Sequence, residues 1–156
     1  MQLPIATTFT LVAGAAEGPS RLNAFDNALL AAGIGDLNLV KISSVLPAGV
    51  EERPTLAAVP GALVPTAYGA TESQVPGERI AAAVAVGLPA DGGSGVIFEY
   101  SGRTGAAEAE TAVRAMVEEA FRRRGRPLRE VRSKSVEHTV ETIGCVLAAV
   151  TLGFDA

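Results

Sequence analysis

The order of apolar and polar residues along the chain predicts alternating strands and helices. Residues 3–12, LPIATTFTLV, are rich in β-branched side chains and predict an opening strand. A helix is expected next, because Ser20 can act as its N-cap and Gly33 is well placed to end it. Between these two positions, apolar side chains recur at helical spacing at Leu22, Phe25, Leu29 and Ala32.

A second strand is predicted in DLNLVKISSV, residues 36–45, where side chains alternate between two faces. A pair of serines, Ser43 and Ser44, lies at its far end, in KISSVLPAG. Residues 47–62 contain three prolines and two glycines and therefore predict a loop region. On pattern alone, the serine pair is most simply an ordinary strand end.

Three further strands are predicted in LVPTAYGA, RIAAAVAVGL and GVIFEYSG, at residues 63–70, 79–88 and 95–102. The middle strand is apolar on both faces, which predicts a central, buried position. Because the connections are short, we expect antiparallel pairing between these neighbours.

The clearest helix runs over residues 106–124, where an apolar stripe is followed by basic residues and Gly125. Residues 128–154 predict two closing strands, the second almost continuously apolar. This order of elements predicts an α+β fold in which helices cover largely antiparallel sheets.

Composition and length predict one domain over residues 1–156 and favour an oligomer. Of the 156 residues, 48% are hydrophobic but only 4% are aromatic and none is Trp, so small side chains must fill the core. With few charges to cover a small particle, some apolar surface is expected to lie against other subunits.

Charge and cysteine content exclude several classes of function. The formal net charge of −4 argues against a nucleic-acid partner, which needs a basic face. No apolar run is long enough to span a bilayer and no signal-peptide pattern is present, so neither a membrane partner nor export is expected. The single cysteine, Cys145, lies in an apolar run and cannot form an internal disulfide, which fits a cytoplasmic protein.

Familiar catalytic motifs are absent: the sequence has no phosphate loop, no GxSxG, no HExxH and no metal-ligand spacing, so no metal site is expected. His138 is most simply a strand histidine without a catalytic role. Glu99 interrupts the apolar strand GVIFEYSG. If it points inward, burial raises its pKa and makes it a candidate general acid; if it points outward, it is an ordinary surface residue. Asp26 has a similar ordinary interpretation, as an exposed helix residue.

The segments LNAFDNALLAAGIGDLNLVKISSVLPAG and GVIFEYSG resemble the pyruvoyl-dependent arginine decarboxylases, and the resemblance extends over most of the chain in order. The serine pair after Asn-Leu-Val is its most specific part. The resemblance implies an αββα four-layer sandwich packed as a trimer or a dimer of trimers, with active sites between subunits. It also implies self-cleavage into a β chain, residues 1–43, and an α chain, residues 44–156.

The resemblance gives the serine pair a chemical role. Ser44 Oγ would attack the carbonyl of Ser43, with the Asn38 amide as a donor to the oxyanion, and β-elimination would convert Ser44 into a covalent pyruvoyl group. A substrate amine would form a Schiff base with that group and lose CO2. Glu99 would then protonate the former α-carbon.

The resemblance also implies a substrate and its binding residues. L-Arginine would become agmatine, a reaction of polyamine biosynthesis, with the Asp26 carboxylate clamping the guanidinium group. Leu22, Gly35 and Val45 would line the pocket. Two alternatives stay open: a pyruvoyl decarboxylase for another amino acid such as histidine, and an uncleaved trimeric binding protein without catalytic activity.

Overall fold

Strands and helices account for most of residues 3–154, the part of the chain that the computed structural model describes. The elements in chain order are β1 (Thr8–Glu17), α1 (Arg21–Ala31), β2 (Asn38–Lys41), β3 (Val45–Leu46), β4 (Glu51–Glu52), β5 (Leu63–Ser73), β6 (Arg79–Pro89), β7 (Gly95–Gly102), α2 (Ala106–Arg124), β8 (Leu128–Thr139) and β9 (Gly144–Gly153). The two long helices and most strands lie where the sequence pattern predicts them.

The strands form two sheets with the orders β2-β5-β9-β1-β4 and β3-β7-β6-β8, which we call the first and the second sheet. Pairing is antiparallel except for β1 with β4 and β2 with β5. The sheets pack face to face, with α1 on the outer face of the first and α2 on the outer face of the second. The predicted αββα four-layer sandwich is therefore confirmed.

Small apolar side chains fill the three layers of core. Ala24 and Ala28 of α1 pack on Leu147 of β9, and the residues between the sheets include Val84 of β6. The layers approach closely: a Cβ atom at Gly14 of β1 would lie only 2.4 Å from the Ala28 carbonyl oxygen. The alanine-rich, aromatic-poor composition thus fits a sandwich of thin layers.

The helix ends follow the predicted capping signals. The backbone N–H of Asn23 donates to Ser20 Oγ at 3.1 Å at the start of α1, and Gly33, just beyond its C-cap, has a φ of 82°. Gly125 caps α2 with a φ of 62°, the left-handed conformation that glycine adopts most easily. Both helices are therefore bounded by local sequence.

Two expectations about the strands need correction. The first strand runs from Thr8 to Glu17 and not over residues 3–12, because its pairing with β9 covers Thr8–Glu17. The expected pairing of β5 with β6 is wrong, since these consecutive strands lie in different sheets, whereas β6 and β7 do pair. Burial of both faces of β6 requires a sheet on one side and α2 on the other, so the short link from β5 crosses the sandwich.

Candidate active site

The serine pair lies where the chain crosses from one sheet to the other. Before it, the N–H of Ile42 donates to the carbonyl of Thr66 on β5 at 3.1 Å, the last such bond to the first sheet. After it, the N–H of Ile97 on β7 donates to the carbonyl of Ser44 at 2.9 Å. The predicted single strand over 36–45 is thus divided into β2 and β3, with the Ser43–Ser44 peptide bond between the sheets.

The two serines differ in how firmly they are held. Ser44 is half-buried and its carbonyl is fixed to β7, while Ser43 is exposed and takes part in no hydrogen bond among the described residues. Val45 follows at once as the start of β3 and pairs with Val96. The Ser44 side of the peptide bond is therefore held by β7, and the nearest hydrogen bond on the other side is that of Ile42.

Glu99 points into the space between the sheets. It pairs with Val84 of β6, whose side chain belongs to the core between the sheets, and paired residues share a face. Burial raises the pKa of Glu99, and the positive charge of Lys41 opposes part of that rise. The inward orientation is the one the structure adopts, and it favours retention of a proton.

The register of β7 brings Glu99 close to Ser44. Ile97, which binds the Ser44 carbonyl, lies two residues before Glu99 on the same strand. Diagonal neighbours of this kind lie about 7–8 Å apart between Cα atoms, within reach of a long side chain. A half-buried acid therefore stands beside the serine pair.

Asp26 and Leu22 lie one turn apart on α1, and both side chains are exposed. The aromatic ring of Phe25, next to Asp26, packs on Tyr68 with centroids 6.3 Å apart. The Nζ atom of Lys41 lies 4.8 Å from the centroid of the Tyr68 ring. These rings connect the helix to the strand that precedes the serines.

The structure does not bring Asn38 to the serine pair within one chain. Asn38 begins β2, five residues of extended chain before Ser43, and its Nδ2 donates to the Gly61 carbonyl at 2.9 Å. Gly35 packs against Leu30 just after α1, where a Cβ atom would lie 2.4 Å from Leu30 Cδ2. Asp26 and Gly35 thus lie on or just after α1, which covers the outer face of the first sheet, whereas Glu99 lies between the sheets.

The predicted site residues therefore form two groups. The cleavage group, Ser43, Ser44, Val45 and Glu99, lies at the open edge of the sandwich. The helix group, Leu22, Asp26, Gly35 and Asn38, lies along α1 and the segment after it. Sequence reasoning missed Lys41 and Gly69, which contact this region. The signals available for them were a charge two residues before the serines and a glycine inside a strand.

Large apolar side chains are exposed near both groups. The exposed fractions are 80% for Leu22, 46% for Val40, 52% for Val45 and 73% for Leu63. The strands β2 and β3 are edge strands of their sheets. Within residues 3–154, no cluster of three acidic, His or Cys side chains is arranged for a metal ion, and neither helix is long and apolar enough to cross a bilayer.

Comparison with known proteins shows which family of enzymes this chain belongs to. The family model for pyruvoyl-dependent arginine decarboxylase matches residues 8–156. A protein of that name from Methanocaldococcus jannaschii is 49% identical over 151 residues, which cover 96% of this chain and 92% of the relative. The Thermococcus kodakarensis protein of the same name is 49% identical over 143 residues, 91% of each chain.

A pyruvoyl-dependent arginine decarboxylase from Pyrococcus abyssi is 47% identical over 147 residues, 92% of each chain. These relatives are carboxy-lyases that depend on a pyruvoyl group. The chain belongs to the pyruvoyl-dependent arginine decarboxylase family. Membership of this family implies a covalently bound pyruvoyl group.

Proposed function

We propose that this chain cleaves its own Ser43–Ser44 bond and then converts L-arginine to agmatine and CO2. The proposal depends on the position of Ser44 between the sheets. Its carbonyl accepts a hydrogen bond from the Ile97 N–H, and Glu99 is its diagonal neighbour. The names of the relatives support the choice of arginine.

Self-cleavage begins when Ser44 Oγ attacks the carbonyl carbon of Ser43, the C–N bond breaks, and an ester replaces the amide. Loss of the Ser44 α-proton then breaks the bond between Cβ and Oγ. This elimination releases Ser43 as a carboxylate and leaves dehydroalanine at position 44. Water replaces the nitrogen of that residue, which leaves as ammonia, and a ketone remains.

The oxyanion formed in the first step needs a donor. Asn38 is the proposed donor, and because it lies at the far end of β2 in its own chain, we propose that a neighbouring copy supplies it. Ser43 is exposed in the single chain, so a neighbouring copy can reach its carbonyl.

The surroundings of residue 44 fit the pyruvoyl group. The carbonyl oxygen that accepts from the Ile97 N–H at 2.9 Å belongs to the amide that the group retains. When formed, the group supplies a ketone for the substrate amine and an acceptor for the electron pair released with CO2. The Ile97 N–H is directed at the oxygen where negative charge develops, as in an oxyanion hole.

Glu99 is the proposed proton donor to the former α-carbon of the substrate. Burial raises the pKa of Glu99, so the protonated fraction of its carboxyl group near neutral pH is larger than that of an ordinary glutamate. Its inward side chain is half-buried at the edge that the substrate would enter. This placement supports the proposal that Glu99 protonates the former α-carbon.

Asp26 is the proposed clamp for the guanidinium group, since a carboxylate matches its paired N–H donors in a bidentate arrangement. Leu22 and Val45 would contact the aliphatic part of the substrate and Gly35 would line the pocket. Because the helix group and the cleavage group lie on different parts of one chain, we propose that each site is completed between copies. The exposed apolar residues at this edge fit a homotrimer or a dimer of trimers.

The test is decarboxylation by the purified protein of a panel containing L-arginine, L-histidine, L-lysine and L-ornithine, measured as CO2 and amine released. We expect agmatine from arginine alone and no activity from Ser44→Ala, which should remain uncut. Preference for histidine would select the first alternative. Binding of arginine without release of CO2 by the wild-type chain would select the non-catalytic one.

A further inference from the structure

Gly69 lies opposite Glu99 on the facing sheet. It pairs with Ala148 of β9, whose side chain lies in the core between the sheets, so the α-carbon of Gly69 faces β7. A Cβ atom at position 69 would lie 3.3 Å from both Cβ and Cγ of Glu99 and 3.7 Å from Ser101 Oγ. The stem of the Glu99 side chain therefore occupies the space that the glycine leaves.

Backbone freedom does not account for this glycine. Gly69 lies inside β5 and is not among the glycines with positive φ. A glycine in a strand interior weakens the strand by roughly 0.5–1 kcal/mol relative to alanine. Such a position often marks the close approach of another group, and here that group is the Glu99 side chain.

A second contact sets the distance between the two strands beside Glu99. Thr71 Oγ1 of β5 donates to Ser101 Oγ of β7 at 2.9 Å, and both residues are partly buried. Thr71 and Ser101 lie two residues beyond Gly69 and Glu99 on their strands, on the same faces. The hydroxyl pair thus holds β5 and β7 together next to the acid.

We propose that Gly69 is a positioning residue for decarboxylation: its missing side chain lets the half-buried Glu99 side chain extend between the sheets, and the Thr71–Ser101 hydrogen bond keeps its depth there fixed. This inference rests on the proposed role of Glu99 as proton donor. Adding a methyl group at position 69 would displace the Glu99 stem by a few tenths of an ångström away from β5, and therefore less deep between the sheets. More water would then reach the carboxyl group, which would lower its pKa toward the ordinary value.

The test compares Gly69→Ala with Gly102→Ala in the self-processed holoenzyme. Gly102 is a matched control, because a Cβ atom there would meet only the Tyr100 hydroxyl, at 3.9 Å. The readouts are self-cleavage by intact mass, thermal midpoint, the pH profile of kcat, and the pKa of the Glu99 carboxyl by 13C NMR.

For Gly69→Ala we expect normal cleavage, an unchanged or higher midpoint, and a kcat lowered about threefold to tenfold, since a misplacement of 1 Å costs about 100-fold. The descending limb of the profile and the NMR pKa should both move to lower pH. Gly102→Ala should resemble wild type. Ser101→Ala removes the hydrogen bond between Thr71 and Ser101. It should move the descending limb of kcat and the NMR pKa in the same direction, and it replaces Gly69→Ala in the test if that variant does not fold.

An unchanged Glu99 pKa in both Gly69→Ala and Ser101→Ala would overturn the inference, whatever the effect on kcat. Failure of the proposed function would look different. Full turnover by Glu99→Gln would remove Glu99 as the donor, while the NMR pKa would still decide whether Gly69 sets the depth of its carboxyl group.

Discussion

Replacing Glu99 with Gln tests the proton donor directly. Gln has nearly the same shape and fits the space opposite Gly69, but its amide cannot supply a proton of the required acidity. The proposed self-cleavage uses Ser44 and the Ser43 carbonyl, so we expect the variant to process itself. Turnover of arginine should fall because the last proton transfer has lost its acid.

The expected loss follows from the role. A positioned general acid contributes roughly 10²–10⁴ in rate, which corresponds to about 2.7–5.4 kcal/mol in the barrier. The stability of the folded protein, in contrast to the turnover, should not fall. Since burial raises the pKa of Glu99, its ionised form destabilises the folded state once the pH exceeds that raised pKa. The thermal midpoint of Glu99→Gln at neutral pH should therefore equal or exceed that of wild type.

The assay is agmatine release under saturating arginine, with intact mass to measure the cleaved fraction. Glu118→Gln, on an exposed position of α2, is the matched control and should behave as wild type. Wild-type kcat in fully cleaved Glu99→Gln would refute the assignment of Glu99. Loss of cleavage together with activity would show that Glu99 acts in processing instead.

Three further substitutions test charges elsewhere in the structure. Lys41→Met removes the charge that opposes the raised pKa of Glu99, so the descending limb of kcat should move to higher pH; a shift to lower pH would contradict this. Asp26→Asn should lower kcat/KM for arginine about 10- to 150-fold, because charge-assisted bonds are worth about 1.5–3 kcal/mol. An equal loss in competitive inhibition by a neutral amino acid would refute the clamp. Glu17 lies 2.6 Å from His138 Nε2; burial alone would raise its pKa, but hydrogen bonds from a backbone N–H and from His138 lower it. The stabilising effect of Glu17 is thus present at neutral pH and is lost as the pH falls through that lowered pKa. In Glu17→Gln, the free energy of unfolding should therefore fall less steeply as the pH is lowered. An unchanged dependence on acid pH would refute the pairing.

Local pattern predicted the elements that local interactions define. The helix over 106–124 is present with the expected bounds, because its apolar stripe and Gly125 determine its buried face and its end. The strand GVIFEYSG at 95–102 is likewise present as β7. The division of consecutive strands between two sheets could not be read from pattern, since a short link is equally suited to a hairpin and to a crossing of the sandwich.

The sequence left the arrangement of the proposed site residues open. Strand alternation left two orientations for Glu99, and its inward side chain faces Gly69, a residue 30 positions earlier in the other sheet. The separation of Asp26 from Ser44 also depends on the fold. The helix α1 packs on the outer face of the first sheet, while Ser44 lies where the chain crosses from one sheet to the other. The resemblance named both residues and implied active sites between subunits, which fits their separation within one chain.

The most direct test of the account is the intact mass of catalytically active protein under denaturing conditions, before and after treatment with a hydrazine reagent. The account predicts two species, residues 1–43 ending in a free carboxylate and residues 44–156 with no free amino terminus and one hydrazine-reactive carbonyl. A single full-length species with undiminished arginine decarboxylation would contradict it.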